Sequence, residues 1–247
     1  MSSGALIVAG ASSDVGIALI KRVAANYDQV ICHYCSSISL IEELREQFGD
    51  KIIPIQADFA DKLQTERFIE EALSKCLKPY HFVHLSSSVP TVNGKFLVKF
   101  SKTDWLHFEQ ELNISFRSAV TCCQAFAPLM AKARSGKIVL MLSSQTVWEP
   151  SKSYSTAYIC VKHALLGLVK SLSAEYIGHG VTVNGVSPAM IDTKFLQVPD
   201  IVRQMSIDAS PVKRLLTVHD VVPTFEFLLS AGANTVTGQN IAVTAGC

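Results

Sequence analysis

The chain has 247 residues, 49% of them hydrophobic, enough to fill a large core; this argues against disorder and fits one large α/β domain or two small ones. Lysine and arginine number 22 against 21 acidic residues, a net charge of +1, so the basic excess that drives nucleic-acid binding is missing and small molecules or proteins are the expected partners. Seven cysteines, an odd count with several on apolar stretches, suit reduced thiols and a cytoplasmic setting.

The first ten residues, MSSGALIVAG, have no basic region ahead of their apolar stretch and read as a first strand, not a signal peptide. Mean hydropathy is +0.28, yet no apolar run is expected to reach the ~18 residues of a membrane span. Strand-like and helix-like stretches then alternate. Ala5–Val8 precedes Val15–Asn26, Val30–Tyr34 precedes Ile38–Phe48, Ile52–Gln56 precedes Lys62–Cys76, and Phe82–Leu85 precedes Lys102–Ala131. The series continues with Lys137–Leu142, Ala157–Ile177 and Val181–Val186. Such alternation predicts right-handed βαβ crossovers, hence a Rossmann-like doubly wound parallel sheet in three α/β/α layers. With no linker or repeat, residues 1–247 read as one domain. Regularity lapses over Ala189–Pro211, where a substrate lid is expected; a helix over Asp220–Ser230 and a strand over Asn240–Val243 close the chain. Cys32 and Cys35 form a C-x-x-C spacing on and after an apolar strand, but no second pair or histidine cluster accompanies them, so packing is expected and no metal.

Three groups of residues point to chemistry. The first strand runs into Gly10-Ala11-Ser12-Ser13-Asp14-Val15-Gly16 and directly into a helix. Such a turn offers backbone N–H groups and the positive helix end to a pyrophosphate. Tyr158 and Lys162 form Y-x-x-x-K on a helical stretch, one turn apart on one face. An ammonium there is expected to lower the pKa of the phenol, which otherwise lies at about 10, and to make Tyr158 a usable general acid. Upstream, the strand from Gly136 ends in Ser143-Ser144, where a hydroxyl can donate to a carbonyl held beside the tyrosine.

Together these residues resemble the short-chain dehydrogenase/reductase family, and nearly the whole chain resembles its 3-oxoacyl-(acyl-carrier-protein) reductases. Gly10 and Gly16 match the first and third glycines of that family's turn, with Asp14 at the second. Its carboxylate is expected to point away from the phosphates. Ser144 corresponds to the catalytic serine, one residue further from Tyr158 than in relatives, whose position falls at Gln145; Ser143 ranks second. Asn113 matches the asparagine that kinks its helix and anchors a water near the lysine. Val183–Thr193 resembles V-N-x-V-x-P-G-x-I-x-T with Ala189 for glycine, which marks Pro188, Ile191 and Thr193 as nicotinamide neighbours. His84-Leu85-Ser86-Ser87 stands where relatives have N-N-A-G, and His84 reads as a structural strand-end residue.

The resemblance implies a reductase that transfers hydride to a ketone, a 3-oxoacyl thioester or a related keto compound, with Asn113, Ser144, Tyr158 and Lys162 as its catalytic residues. Cofactor contacts are expected from Gly10, Ser12, Ser13, Val15, Gly16, Tyr34, Ser36, Ser37, Asp58, Phe59 and Ser86, besides Pro188, Ile191 and Thr193. No acid stands at Tyr34-Cys35-Ser36-Ser37 to hold a free ribose and repel a 2′-phosphate, which favours NADPH over NADH. Asp58 reads either as the adenine contact or as a turn or helix-capping aspartate. Gln145, Trp148, Met190, Phe195 and Val89 are expected at the substrate wall. Lys99, Lys102 and Arg117 could meet an acidic carrier protein. A homotetramer or homodimer is implied, built on the helices around Asn113 and Tyr158 and on the last strand. An NAD(P)-dependent alcohol dehydrogenase of a sugar, steroid or secondary metabolite is the alternative within the enzyme class. A catalytically silent scaffold is the alternative outside it.

Overall fold

The computed structural model describes residues 4–76, 78–88, 99–147, 155–194, 196 and 198–246, with 79 and 80 known by backbone alone. These build one parallel seven-stranded sheet in the order β3-β2-β1-β4-β5-β6-β7. Its strands are β1 (Ala5–Ala9), β2 (Gln29–Tyr34), β3 (Ile52–Gln56), β4 (Pro79–His84), β5 (Gly136–Met141), β6 (Val181–Pro188) and β7 (Asn240–Val243). Every residue of β1 and of β6 is buried, as expected of central parallel strands covered by helices on both faces.

Those helices are α1 (Asp14–Val23), α2 (Ile38–Phe48), α3 (Lys62–Lys75), α4 (Trp105–Glu111), α5 (Ser118–Ala133), α6 (Thr156–Tyr176), α7 (Asp200–Ala209) and α8 (Val218–Leu229). Two apolar clusters lie on opposite faces of the sheet: Phe68, Phe82, Phe126, Leu165 and Val169 on one, Leu19, Ile20, Ile41, Phe225 and Leu228 on the other. This is the doubly wound three-layer arrangement expected. The strand order reverses between β1 and β4, and ligands of open α/β sheets bind outside the carboxyl ends of the strands at such a switch point.

Three expectations need correction. The single helix expected over Lys102–Ala131 is broken: α4 ends at Glu111, a π-helical turn spans Leu112–Arg117, and α5 follows. The irregular stretch Ala189–Pro211 contains α7. And one helical stretch, Thr156–His179, is in fact long and apolar enough to cross a membrane by length and composition. Here one face of it lies against β6 and α5 and buries Lys162, and 33% of its most apolar stretch is buried.

Candidate active site

At the switch point β1 turns into α1 through Gly10, whose φ of +83° suits glycine alone. A Cβ there would stand 3.0 Å from the Ser86 backbone nitrogen, and one at Gly16 would stand 2.6 Å from the carbonyl oxygens of both Gly10 and Ala11. The turn is thus bare backbone against backbone. Ser13 caps α1, accepting from the Gly16 N–H at 3.0 Å and donating to Gly10 O at 2.8 Å. Ser12 is half-buried, Val15 buried. The N–H groups of the first helical turn that capping leaves over remain for an anion. Asp14 directs its carboxylate to the backbone N–H of Lys194, 2.7 Å away, which joins the turn to the segment after β6.

The turn rests on a residue that the sequence reading missed. Gly10 N–H donates to His33 Nδ1 at 2.9 Å, and the other ring nitrogen meets Ala57 O at 2.9 Å. Since Nδ1 accepts, the proton sits on Nε2 and the ring is neutral. Burial holds its pKa down to about 4. His33 also stacks on Phe59, ring centroids 3.8 Å apart, so Phe59 serves as core packing. Asp58 accepts the Ala60 N–H at 2.9 Å, which is the turn reading of that residue. Tyr34 ends β2, and Ser36 and Ser37 are exposed beyond it. Ser37 precedes α2 without a side-chain capping bond. Across the crevice, Ser86 Oγ is buried with no hydrogen-bond partner among the described residues. An orphaned donor beside a cradle that admits no Cβ fits the polar middle of a dinucleotide.

The catalytic candidates gather at the carboxyl end of β5. Tyr158 is partly exposed, and the Ser143 hydroxyl is the side-chain group that acts most directly on its phenol. Burial raises the phenol to about 12, against the Ser143 bond, which favours the phenolate, and with the Glu111 charge, which disfavours it. Burial outweighs the nearby groups here, so Tyr158 is a protonated phenol at neutral pH. Lys162 lies 5.3 Å above the centroid of the Tyr158 ring and donates to Met141 O at 3.0 Å. Fully buried, its ammonium is drawn down to about 8 by desolvation, with Glu111 opposing.

Ser144, ranked first by sequence, is buried and opens a short 3-10 turn over Ser144–Thr146, whereas Ser143 caps that turn and is the serine that acts on the Tyr158 phenol. The loop to Tyr158 is one residue longer again than the count assumed. Thr146 fixes the turn by donating to Ser143 O at 2.7 Å and accepting from Asn240 Nδ2 at 2.9 Å. The Gln145 N–H reaches Ser143 Oγ at 3.3 Å.

Asn113 lies in the π-helical turn, as a kink there requires, but its side-chain oxygen accepts from Arg117 at 2.8 Å. The same guanidinium donates to the carbonyls of Phe59 and Ala60, at 3.0 and 2.8 Å. Arg117 is thus spent inside the protein, not displayed to a carrier, while Lys99 and Lys102 are exposed. Pro188 ends β6 and Ile191 pairs with Leu216 in an isolated bridge. Thr193 accepts the Leu196 N–H, and Met190 accepts that of Leu216. His84 is buried against Ser118 Oγ at 2.7 Å, a structural contact. Trp148, Phe195 and Val89 lie outside the described residues.

With this geometry in view, three relatives are informative. A family model described as enoyl-(acyl carrier protein) reductase matches residues 10–247. An NADPH-dependent aldehyde reductase-like chloroplastic protein of Arabidopsis thaliana is 27% identical over 97% of this chain and 92% of its own length. A 3-oxoacyl-(acyl-carrier-protein) reductase of Staphylococcus aureus is 26% identical over 97% and 96%. Among solved structures, a 3-oxoacyl-(acyl-carrier protein) reductase from Brucella melitensis with bound NAD superposes with a TM-score of 0.87 at 22% identity, covering 99% of this chain and 91% of that one.

Proposed function

We propose that this chain, which belongs to the short-chain dehydrogenase/reductase family and is an NAD(P)-dependent oxidoreductase of that family, reduces a ketone carbonyl with NADPH. The observation that carries the reading is Tyr158 with the Lys162 ammonium 5.3 Å from its ring centroid, set beside the buried serines at the end of β5 and the switch-point crevice. A reduced nicotinamide held in the crevice would supply the hydride for the carbonyl carbon. Tyr158 gives its hydroxyl proton to the carbonyl oxygen, so ketone becomes alcohol and the phenol becomes phenolate. Ser143 donates to the same oxygen and fixes the carbonyl beside the tyrosine. Lys162 stabilises the phenolate through its charge, and the phenolate takes one proton from solvent to restore the phenol.

Gly10, Ser12, Ser13, Val15 and Gly16 would hold the pyrophosphate, with Ser86 and the segment from Pro188 through Ile191 to Thr193 bordering the nicotinamide side. The preference for NADPH rests on the end of β2, where Tyr34, Ser36 and Ser37 offer hydroxyls and no carboxylate to repel a 2′-phosphate. The name of the Arabidopsis relative agrees with this choice, while the Brucella structure holds NAD. A 3-oxoacyl thioester is the substrate class that the Staphylococcus relative's name suggests. The segment 189–211, with Ile201 and Met205 exposed on α7, acts as the lid. Exposed Trp105 and Leu106 on α4 supply a face for a homotetramer or homodimer, and the reduced cysteines suit a cytoplasmic enzyme.

The test is cofactor oxidation over a panel of 3-oxoacyl thioesters, diketones and an enoyl thioester, with NADPH and NADH in parallel and Tyr158→Phe beside the parent protein. Ketone turnover that prefers NADPH and falls roughly a thousandfold in Tyr158→Phe is expected. Consumption of the enoyl thioester alone contradicts the ketone reading. Binding of neither cofactor makes Asp14 disabling and leaves a catalytically silent scaffold.

A further inference from the structure

A carboxylate without partners in a protein interior neutralises or destabilises the fold, yet Glu111, the last residue of α4, is only 1% exposed. Its Oε1 accepts from Ser88 Oγ at 2.5 Å and its Oε2 from Ser115 Oγ at 3.3 Å. Ser115 Oγ in turn stands 3.4 Å from Ser87 Oγ. These serines come from the chain just past β4 and from the π-helical turn that begins one residue after Glu111. π-Helical turns interrupt helices most often where a side chain has to be re-aimed for function. Two hydroxyls are a costly arrangement for one buried acid unless its charge serves something nearby.

Lys162 presents the matching difficulty. Its ammonium is 1% exposed and has one carbonyl, Met141 O, at 3.0 Å and the face of Tyr158 for company. α4 and the π-helical turn both pack on α6, the helix that carries it. Burial raises the Glu111 carboxyl, opposed by the bonds from Ser88 and Ser115 and by the Lys162 charge, and burial lowers the Lys162 ammonium, opposed by Glu111. The remaining titratable groups turned to this pair are Tyr158, on α6, and His84, on β4; Tyr158 feels the Glu111 charge and His84 that of Lys162. Both are uncharged at neutral pH, since burial raises the phenol and depresses the imidazole. Glu111 is therefore the one carboxylate among the described residues whose charge acts on the ammonium, without a direct ion pair within 4.0 Å.

We propose that Glu111 is a positioning residue of the reductase site: held by Ser88 and Ser115, its carboxylate keeps the Lys162 ammonium charged and seated against Tyr158. This rests on the reductase reading. Remove the Glu111 charge and burial acts on Lys162 unopposed. The lysine then gives up its proton at lower pH, and the phenolate formed in each turnover loses its counter-charge.

The experiment is a pH titration of the Lys162 side chain by NMR in protein labelled with ¹³C at lysine Cε, its resonance assigned with Lys162→Arg. It is run on the parent protein, Glu111→Gln, Glu111→Asp and Ser88→Ala, and kcat and KM are followed over the same pH range. In Glu111→Gln the Lys162 midpoint should move to roughly tenfold higher proton concentration, with the alkaline limb of kcat moving alongside and KM for the ketone unchanged within about twofold. Glu111→Asp should restore most of the parent behaviour, and Ser88→Ala should shift the midpoint the same way but less. A midpoint unmoved in folded Glu111→Gln overturns the proposal; if that variant does not fold, an unmoved midpoint in Ser88→Ala does so. A midpoint that moves in a protein that turns over no ketone sinks the reductase reading while upholding the Glu111–Lys162 coupling, so the two failures are distinguishable.

Discussion

The two sides of the switch-point crevice are built on opposite principles. On the β1 side the functional surface is backbone: Gly10 and Gly16 leave no room for a Cβ, and a neutral imidazole, His33, holds the turn by accepting one N–H. On the β5 side it is side chains: a phenol, a serine, an ammonium and a carboxylate share a desolvated space between β5, α4 and α6. The first side offers an anion the N–H groups of the first turn of α1, and the Asp14 carboxylate there is engaged by the Lys194 N–H. The second can move protons because burial has pushed its groups away from their ordinary values. A phosphate cradle is specified by what is missing, and a proton site by what is crowded together.

The sharpest way to break the β5 side is its serine pair. Ser143→Ala should lower kcat about a hundredfold, the loss expected of one donor to a developing oxyanion. Ser144→Ala should cost less than about tenfold, since its hydroxyl is not the one that acts on Tyr158. Steady-state kinetics on the best ketone of the panel reads both, and the reverse ranking would return the role to Ser144.

The β1 side should fail through binding instead. In Gly16→Ala the new methyl collides with two backbone carbonyls that cannot rotate away. Cofactor Kd should rise at least about tenfold by titration calorimetry, with the Lys162 midpoint left where it was. A binding constant unchanged in that variant would mean the turn is not the phosphate site.

A smaller effect separates the sides under acid. His33 is held down to about 4 and His84 to about 3, both by burial, against about 6.5 in an unfolded chain. Below pH ~6.5 the unfolded chain takes up protons that the folded one refuses, so this contribution to stability is complete above that pH and is lost as pH falls toward 4. Tm should decline over that window. Cofactor affinity should hold until His33 itself titrates, because a protonated Nδ1 can no longer accept from Gly10. A Tm flat from pH 7 to 4.5 would contradict the buried neutral rings.

The sequence makes the sheet plain because ALIVA and KIVLM are continuous apolar runs between turn residues, a pattern that buried parallel strands enforce. Tyr158 and Lys162 are legible for a similar reason, since helical spacing puts both on one face whatever surrounds them. Ser143 was outranked because the count ran backward from Tyr158 across a loop whose length local rules do not set. Counting forward along β5 would have found the first hydroxyl past the strand. The π-helical turn is invisible locally because its extra residue per turn is imposed by packing on α6. His33 and Glu111 look like ordinary polar residues in strand and helix, and only the fold brings Gly10 to one and Lys162 to the other. The membrane-length helix was not legible as an apolar run, because Lys162, His163 and Lys170 interrupt it, and the fold packs one of its faces on β6 and α5.

The most direct test of the central claim follows the hydride. NADPH carrying deuterium at the nicotinamide C4 is incubated with the best ketone, and the product alcohol is examined by mass spectrometry and NMR. The account predicts deuterium on the carbinol carbon, a hydroxyl proton drawn from solvent, and no labelled product in Tyr158→Phe on the same timescale. Alcohol formed without deuterium on that carbon, or label transfer undiminished in Tyr158→Phe, would contradict it.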